Sequence, residues 1–553
     1  MPAREYAVDG DQGFIGLNSR DNPVNLGKNF VSKSVNFRFD RGVAIIRKGS
    51  KKLTNNSFTE DIYGSCTYTK SDGTELIILV VSNGLYTYTP DTDTISTKVA
   101  FPAGQTISNG DDVDVYQAQG IGYVYICRGY AKSTLRWDGN TTIVVPGVST
   151  HTNYPNSRQA IYFGNRHIVQ TDQNTFKVSH YLSDNAWSAL DMFSINDGSS
   201  DSLVGITPWQ LNEFVIFMRN SIHYAAVGVG ANAGNDAATE ADSYVKSLAT
   251  DIGCIARGSI VQAGGGIIFL SDNGVYMLNP NGAGQGSTNT PEGMRLLTMA
   301  EPLSATISDV ISRINFNYVQ NAVATYWENR YYLAVPLDNS TTNNSVLVYN
   351  FVNKAWESVD SYPAGFDIRN FLIAKRGNKR RMISVDKSDG VYLLEELDWD
   401  EYGVSTGTPL LPSPIDTGLT LTANIPSPYI ASSPDALTIS TTAFTPNQIQ
   451  GTLTTRAYNL GTNREKRYSS FQADLYAPAG GVVNIGLSTT NPDAILPSYH
   501  FGSAKASDAL IRLPVRKSGY FAQVNITTTN LRPEVRSVSV EAIIPGHMTQ
   551  SRK

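Results

Sequence analysis

Short apolar runs recur in pairs along most of this chain, and a turn separates the two members of each pair. In the clearest pair, residues 267–270 are apolar, Asn273 and Gly274 follow, and residues 275–278 are again largely apolar. Asn-Gly between two such runs is typical of a type I′ β-hairpin turn, which needs positive φ at both turn residues. The pattern therefore predicts a β-hairpin here.

Seven predicted hairpins of this kind lie between residues 60 and 400. Their turns fall near residues 84, 132, 174, 220, 274, 343 and 390, so successive turns are 48, 42, 46, 54, 69 and 47 residues apart. Four-stranded propeller blades repeat every 40–50 residues or so. A lone hairpin cannot bury an apolar face in water, whereas blades packed around an axis can. The sequence therefore predicts an all-β fold with a β-propeller of six or seven blades.

The longest interval between turns contains one expected exception to this pattern. Ile307, Val310, Ile311 and Ile314 are spaced three and four residues apart, which predicts one short amphipathic helix.

The flanking segments divide the chain into four predicted parts. Residues 1–34 are polar and rich in Gly and Asn, and are expected to form an N-terminal arm that lies on this subunit or its neighbour. The propeller is expected over residues 35–402. Residues 403–450 are rich in Pro, Ser and Thr with almost no charge, which indicates a linker or a protruding insertion. Residues 451–553 contain six alternating runs and a short polar tail, which predicts a C-terminal β-sandwich.

Composition agrees with an all-β chain and limits the possible partners. Charged residues make up 17%, below the roughly 25% typical of soluble domains, and 46 Gly and 29 Tyr are present. The net charge is −5 and no long basic run occurs. A protein that grips DNA by its phosphates needs more positive charge than this, whereas one that only lets DNA pass does not.

Cys66, Cys127 and Cys254 are odd in number, widely spaced and set in apolar runs. We interpret them as buried core residues of a protein made in a reducing cytosol. Residues 1–13 have no apolar signal core, and the longest apolar run, residues 76–81, is far shorter than the ~20 residues of a membrane span.

Paired carboxylates are the strongest hint of catalysis, because glycosidases use two of them. Three clusters qualify, although all are expected at turns, where solvated carboxylates are common: Asp111, Asp112 and Asp114; Asp398, Asp400 and Glu401; Asp91 and Asp93. The S-x-D-x-G-x-T-W box of sialidase propellers is not matched, since S-D-N-G-V-Y and S-D-G-V-Y lack its Thr-Trp and have shorter spacing.

Other catalytic and metal-binding motifs are missing from the sequence. The six histidines have no metal-ligand spacing; they are His151, His167, His180, His223, His500 and His547. No G-x-S-x-G or P-loop occurs, and the Gly-rich run at 264–268 leads into a strand rather than a helix. We therefore expect no catalytic, cofactor-binding or metal-binding residues.

Three segments, taken in order, resemble the tail nozzle (tail tubular B-type) proteins of short-tailed bacteriophages. They are N-F-R-F-D-R-G-V-A-I-I-R-K-G (36–49), I-G-C-I-A-R-G-S-I with G-G-I-I-F-L-S-D-N-G-V-Y-M-L (252–278), and P-L-S-A-T-I with N-R-Y-Y-L-A-V-P (302–336). The resemblance covers about residues 14–400, and this family has no signature active-site residues to carry over.

The resemblance implies a virion structural protein, made in the host cytoplasm, of which six copies form a ring below the head–tail adapter. Genomic double-stranded DNA and ejection proteins would leave through the ring without sequence-specific binding, and tail fibres or tailspikes are further possible partners. Two alternatives stay open: a host-receptor or glycan-binding propeller that stacks sugars on the Tyr-rich segment 116–130, and, less favoured, a glycosidase that uses the carboxylate clusters.

Overall fold

The fold is all-β and is built mostly from small antiparallel sheets. The computed structural model describes residues 5–53, 60–118, 122–145, 154–196, 198–210, 213–227, 243–263, 265–278, 302–388, 390–401, 447–489, 499–502, 507–529 and 531–544. The predicted insertion at 403–450 lies outside the described residues except for its last four positions. No helix in the described ranges is long and apolar enough to cross a membrane.

Six strands precede the first predicted hairpin: Glu5–Asp11 (β1), Gly16–Leu17 (β2), Phe30–Val35 (β3), Phe37–Asp40 (β4), Val43–Ile46 (β5) and Gly49–Leu53 (β6).

Seven small sheets then follow one another along the chain. The first contains Gly64–Thr69 (β7), Glu75–Val81 (β8), Gly84–Thr89 (β9), Thr94–Ile95 (β10) and Val99–Ala100 (β11). The second contains Asp114–Ala118 (β12), Tyr123–Cys127 (β13), Leu135–Trp137 (β14) and Ile143–Val144 (β15). The third contains Ala160–Phe163 (β16), Arg166–Gln170 (β17), Thr175–Ser179 (β18) and Trp187–Ser194 (β19).

The fourth sheet contains Leu203–Gln210 (β20), Glu213–Met218 (β21), Ile222–Ala226 (β22) and Tyr244–Ala249 (β23). The fifth contains Val261–Ala263 (β24), Gly266–Ser271 (β25) and Gly274–Leu278 (β26). The sixth contains Val323–Trp327 (β27), Arg330–Val335 (β28), Ser345–Asn350 (β29) and Ala355–Ser361 (β30). The seventh contains Ile368–Arg376 (β31), Lys379–Asp386 (β32) and Gly390–Leu397 (β33), and β6 from the N-terminal segment is its fourth strand.

Each of the seven predicted hairpins forms, and in every sheet it is the pair made by the second and third strands. The predicted type I′ turn is wrong in detail. Ser271 pairs with Gly274, so the turn residues are Asp272 and Asn273, and neither has positive φ. Gly274 itself has φ 135° and begins the return strand, where a Cβ would collide with the Ser304 hydroxyl. Glycine is needed here for the close approach as well as for the backbone angle.

Successive sheets share apolar cores, and the sequence of cores closes on itself. Strand β8 illustrates this, because Ile78 and Val80 face the core shared with the second sheet, while Ile77 and Leu79 face the core shared with the seventh. Further cores join the second sheet to the third, the third to the fourth, the fourth to the fifth, the fifth to the sixth and the sixth to the seventh. The first strand of the seventh sheet, β31, also contacts the first strand of the first sheet, β7. We call these seven sheets the ring.

The remaining strands form two six-stranded sheets, which we call the two-sheet unit. Its C-terminal strands are Gly451–Thr455 (β36), Lys466–Ala477 (β37), Val482–Thr489 (β38), Tyr499–Gly502 (β39), Ser507–Gly519 (β40), Ala522–Thr529 (β41) and Glu534–Ile544 (β42); Trp399–Asp400 (β34) and Asn447–Gln448 (β35) pair with each other before them. One sheet has the order β4-β5-β42-β37-β40 with β1 also on β42, and the other β2-β3-β36-β41-β38-β39.

The N-terminal segment lies on its own subunit, one of the two placements expected for the arm, and it does so as strands of that subunit's sheets. Its strands β1–β5 belong to sheets of the same chain whose other strands come from the opposite end of the sequence. Glu5, for instance, pairs with Ile544, and Lys33 pairs with Thr454. Apolar residues of both sheets meet in one core, which includes Phe37, Phe471 and Val524. The predicted boundaries near residues 34 and 451 therefore do not coincide with the sheets.

The predicted helix is present but short. The segment forms a 3₁₀ turn, Ala305–Ile307, followed by one α-helical turn, Ser308–Ile311 (α1), and two more 3₁₀ turns lie at Arg257–Ser259 and Val319–Asn321. All four predicted apolar positions of the helix are buried.

Candidate functional site at the charged seam

The ring and the two-sheet unit meet at a seam that contains buried arginines. The β4–β5 hairpin carries Arg38 and Arg47 into this seam, because the short linker after β5 leads directly into β6 of the seventh sheet. Strand β4 contacts β30 of the sixth sheet and β36 of the two-sheet unit. Because both faces of β4 are covered, Phe37, Arg38 and Phe39 are all buried.

Arg38 is held by two carboxylates from different ring sheets. Its NH1 and NH2 donate to the two oxygens of Asp360 at 3.0 and 2.6 Å, and NH2 also donates to Glu395 Oε1 at 2.6 Å. Burial acts to lower the pKa of Arg38, but the charges of Asp360 and Glu395 outweigh it and raise that pKa above its ordinary value. The guanidinium is therefore a permanent cation that joins the sixth and seventh sheets to the two-sheet unit.

Arg47 makes a second bidentate contact at the seam. Its NH1 and NH2 lie 3.1 and 2.6 Å from the oxygens of Asp400, and its Nε donates to Asn36 Oδ1 at 3.1 Å. The guanidinium carbon lies 4.2 Å from the centre of the Tyr362 ring. Planar guanidinium is suited to this combination of fork-like hydrogen bonding and stacking, and lysine is not.

Arg330 makes a similar contact at the seam, and Arg456 makes one within the two-sheet unit. Glu357 is fully buried and receives Arg330 Nε at 2.7 Å together with the backbone N–H of Phe39 at 3.1 Å. Arg456 donates from Nε to Asp11 at 2.9 Å and from NH2 to Asp9 at 2.7 Å, and so ties β1 to β36. A buried ion pair adds little net stability, but removal of one partner is costly.

A cavity of about 320 Å³ opens at this seam, between the sixth and seventh sheets and the two-sheet unit. Arg38, Arg330, Lys48, Glu395 and Arg532 are among its lining residues. Arg532 donates from Nε to the Ile46 carbonyl at 2.9 Å. Burial lowers the pKa of Arg532, and the nearby charge of Arg38 adds to this. Asp40 and Glu328, both exposed, also line the cavity, so its charge is mixed.

Another ion pair joins two ring sheets that are not neighbours. Arg257, which precedes the fifth sheet, lies 2.5 Å from Asp114 of the second sheet, three sheets away around the ring. The same Asp114 oxygen accepts the backbone N–H of Ala160 in the third sheet at 2.9 Å. This cluster therefore links the second sheet to the third, its neighbour, and to the segment that precedes the fifth, which is not its neighbour.

The structure does not bring the predicted carboxylate clusters together. Asp111 pairs with Lys132 at 2.5 Å, Asp112 with Arg158 at 2.9 Å, and Asp114 with Arg257. The pKa of Asp111 is lowered by its bonds to Lys132 and Ser108, which outweigh its burial. Each of these three carboxylates is therefore tied to its own cation, two of them between the first and third sheets and one just before the fifth sheet.

The other two clusters have structural contacts of their own. Asp400 binds Arg47, and Glu401 accepts the Lys52 N–H at 2.8 Å; partial burial raises the pKa of Glu401. Asp91 accepts the Gly377 N–H at 2.6 Å, and Asp93 accepts the Tyr88 hydroxyl at 2.7 Å. Asp398 lies in the bend between β33 and β34.

The Tyr-rich segment 116–130 faces inward for most of its length. Tyr116 and Tyr125 stack at 5.4 Å, Tyr125 and Tyr154 at 5.2 Å, and the Tyr116 hydroxyl lies 2.7 Å from His167 Nδ1. Burial lowers the pKa of His167 to about 3, so this histidine is neutral near pH 7. These aromatic residues form part of the contact between the second and third sheets rather than an exposed sugar platform.

His223 belongs to a similar polar network in the fourth sheet, through Ser221 at 2.9 Å and from there to Asp201 at 2.6 Å. His180 lies just after β18, His500 lies within β39, and His151 and His547 fall outside the described residues. Within the described ranges, no group of three or more His, Cys, Asp or Glu is placed to hold a metal ion. All three cysteines are buried and unpaired.

Nothing in the sequence pattern singled out Arg38, Arg47, Arg330 or Arg456. Arg38 alternates with Phe37 and Phe39, so a two-residue period assigns it to a solvent-facing side of the strand. A basic residue on each of two strands joined by a two-residue turn, Arg38 and Arg47, was the available signal, but it has many solvated explanations.

Comparisons with known proteins give no family. No family model and no curated protein matches the chain. Among solved structures, the crystal structure of BBS1N in complex with ARL6DN matches with TM-score 0.37 and 12% identity over 63% of this chain and 98% of that one. The crystal structure of the mitotic checkpoint complex matches with TM-score 0.36 and 7% identity over 63% of this chain and 93% of that one. At these scores the two likenesses carry no argument about this chain.

Proposed function

We propose that the seven sheets are the blades of a β-propeller and that the two-sheet unit is a β-sandwich docked on its sixth and seventh blades. The closed series of shared cores supports a radial arrangement, because each sheet is covered on both faces by its two neighbours. Strand β6 closes the seventh blade with a segment from the other end of the chain. The N-terminal segment that carries Arg38 and Arg47 thereby also closes the propeller.

We propose further that the chain is the nozzle protein of a short bacteriophage tail. The observation that supports this most is where the three segments of the resemblance meet. Phe37 and Ile46 of the first, Ile268 and Val275 of the second, and Ile311 of the third all lie in one core. Segments that are far apart in the sequence are thus parts of one packing unit, as expected if their joint occurrence reflects a shared fold.

The proposed mechanism is passive conduction through a ring of six copies. Each copy contributes a stiff wall, because the buried ion pairs of the seam join the propeller to the sandwich with two or more bonds each. The Arg257–Asp114 pair joins the proposed second blade to the segment before the fifth, so DNA would travel through the lumen between copies rather than through a single propeller. A net charge of −5 suits a conduit that must not retain a polyanion.

The proposed setting is the virion tail, with the head–tail adapter above the ring and tail fibres or tailspikes as further neighbours. Electron microscopy of the purified protein at high concentration, alone and mixed with the adapter complex of the same phage, tests this. Rings with an open centre that cap the adapter are the expected result. Monomers that persist at every concentration and ignore the adapter would remove the nozzle and favour a receptor-binding propeller, for which saturable binding to host glycans is the next test.

A further inference from the structure

One sheet of the two-sheet unit has two strands that lie at opposite edges. Strand β1 pairs with β42, β42 pairs with β37, and β37 pairs with β40. Among the described residues β1 has no other strand partner than β42, and β40 has none other than β37. Each edge strand therefore presents unpaired backbone N–H and C=O groups along one side.

The strand directions allow the order β1-β42-β37-β40 of one copy to be followed by the same order in a second copy. All three pairings are antiparallel, so β1 and β40 run in opposite directions. If β1 of a second copy were placed beside β40 of the first, the alternation of directions would continue without a break. Antiparallel pairing is the arrangement that strand addition can adopt here without any change in either sheet.

The usable lengths of the two edges also agree. Strand β1 has seven residues, Glu5–Asp11. Strand β40 is longer, but Pro514 interrupts it and lacks a backbone N–H, so the edge before it covers residues 507–513. Both free edges are thus seven residues long.

Large apolar side chains are exposed on both edges, and they lie on the same face of the sheet. Tyr6 and Val8 of β1 are 62% and 67% exposed, and Leu510 of β40 is 72% exposed. The shared face follows from the pairing, because Val8 lies opposite Glu541, and Glu541 accepts from the Arg512 guanidinium at 2.5 Å. Isolated apolar residues on a surface need no explanation, but a matched set at two complementary edges indicates contact with a partner.

We propose that β1 of one copy adds to residues 507–513 of β40 in the next copy, so that one continuous antiparallel sheet joins neighbouring subunits. With the seven residues of each edge fully overlapped, Val8 lies opposite Leu510 and Tyr6 lies opposite Arg512. The first pair buries apolar surface and the second places a guanidinium beside an aromatic ring. The contact uses a different surface on each copy, so repeated head to tail it builds a ring when the rotation between copies divides a full turn. This inference rests on the proposed nozzle ring and names the contact that would build it.

Cysteine cross-linking between two singly substituted proteins tests this pairing. Val8→Cys and Leu510→Cys are purified separately, mixed at the concentration used for microscopy, oxidised, and separated on a non-reducing gel. A mixed disulfide joins two copies, because each protein carries only one introduced cysteine. Within one chain, two strands separate the two sites by roughly 14 Å, which is beyond disulfide reach. The native cysteines are buried, and burial raises the pKa values of the Cys127 and Cys254 thiols to about 12, so they contribute little background.

The matched control mixes Val8→Cys with Val352→Cys, whose site is also 72% exposed but lies in the turn between β29 and β30. We expect the Val8–Leu510 mixture to cross-link at least about tenfold more than the control, a difference in local concentration that corresponds to about 1.4 kcal/mol. Equal yields in the two mixtures would overturn the strand pairing.

Microscopy of the same samples separates this inference from the proposed function. Open rings that show no excess of Val8–Leu510 cross-links would overturn the pairing and leave the nozzle standing. Cross-linked rings that fail to dock on the adapter would overturn the nozzle and leave the pairing. A chain that stays monomeric at all concentrations and gives no cross-link would overturn both.

Discussion

The ring and the two-sheet unit are both all-β, but they are assembled from the chain in opposite ways. Six ring sheets are each made from one continuous stretch, and only the seventh borrows a strand, β6. Both sheets of the two-sheet unit combine strands from residues 5–46 with strands from residues 451–544. Neighbouring ring sheets share apolar cores, and the seam beside the two-sheet unit adds buried arginine–carboxylate pairs to the apolar core that it shares with the ring.

The two regions differ in where they use ion pairs with bidentate hydrogen bonds, whose strength depends on the relative direction of the two groups. Within a hairpin the turn already fixes how the two strands pair. Consecutive hairpins therefore need few further interactions to set their relative orientation. Bringing together segments from the two ends of the chain costs loop-closure entropy and leaves many possible registers. Bidentate arginine pairs are satisfied in few geometries, so we infer that they select the correct docking of the two-sheet unit on the ring.

The largest expected effect comes from breaking the seam. Asp360→Ala leaves the buried Arg38 with Glu395 as its remaining carboxylate partner at the seam. We expect the free energy of unfolding to fall by about 3–5 kcal/mol, because the buried guanidinium loses its bidentate partner and keeps only the single contact to Glu395. Urea unfolding followed by circular dichroism measures this.

The control for this variant is Asp338→Ala. It removes an equally bidentate partner, of Arg313, with distances of 2.8 and 2.6 Å, but both side chains are about half exposed. Less than about 1 kcal/mol should be lost there. Equal losses at the two sites would show that burial of the seam pair has no special weight.

The second prediction concerns the strand that closes the ring. Leu53 of β6 is fully buried in the core shared by the first and seventh sheets. Leu53→Ala should destabilise the protein by about 2–5 kcal/mol through the cavity it leaves. The same substitution at the exposed Leu510 should be nearly neutral in the monomer, and unfolding curves that do not distinguish the two would contradict the proposed closure.

A milder change at Arg456 should affect the two-sheet unit alone. Arg456→Lys keeps the charge but cannot serve Asp9 and Asp11 together, so we expect a loss of about 1.5–3 kcal/mol. Hydrogen exchange followed by mass spectrometry should show faster exchange in β1, while amides of the ring remain as protected as before. Equal acceleration in both regions would mean that the two are one cooperative unit.

The smallest predicted effect concerns the pH dependence of stability that arises from His167, which belongs to an uncharged polar network of the ring and not to the charged seam. The pKa of His167 is lowered to about 3, whereas an unfolded histidine titrates near 6.5. Between these values the unfolded chain binds a proton that the folded chain does not, so stability falls as pH drops below 6.5, by about 1.4 kcal/mol per pH unit.

Comparison with His167→Gln isolates this contribution from that of the other groups, including His223, whose pKa is also lowered by burial. The stability of the variant should change less between pH 6.5 and 5 than that of the parent. Parallel pH profiles would show that His167 has the same pKa in the folded and the unfolded chain.

By itself, the sequence determined the all-β class, all seven ring hairpins and six of the seven strands β36–β42, the exception being the short β39. These elements depend on two-residue apolar alternation and on local turn chemistry, both of which can be recognised within the length of a single hairpin. It also determined the burial of Ile307, Val310, Ile311 and Ile314, because a three-to-four spacing shows which side of a helical turn is apolar.

Only the tertiary structure decided the pairing of β1–β5 with the C-terminal strands, the closure of the seventh sheet by β6 and the burial of Arg38. Residues 5–46 show strand periodicity, but nothing in that pattern says which edge, at the far end of the sequence, the strands will join. Arg38 alternates with Phe37 and Phe39 as a surface residue would, and it is buried because β4 is covered on both faces. Partner choice depends on which surfaces remain open after the local hairpins have formed, and local spacing carries no record of that.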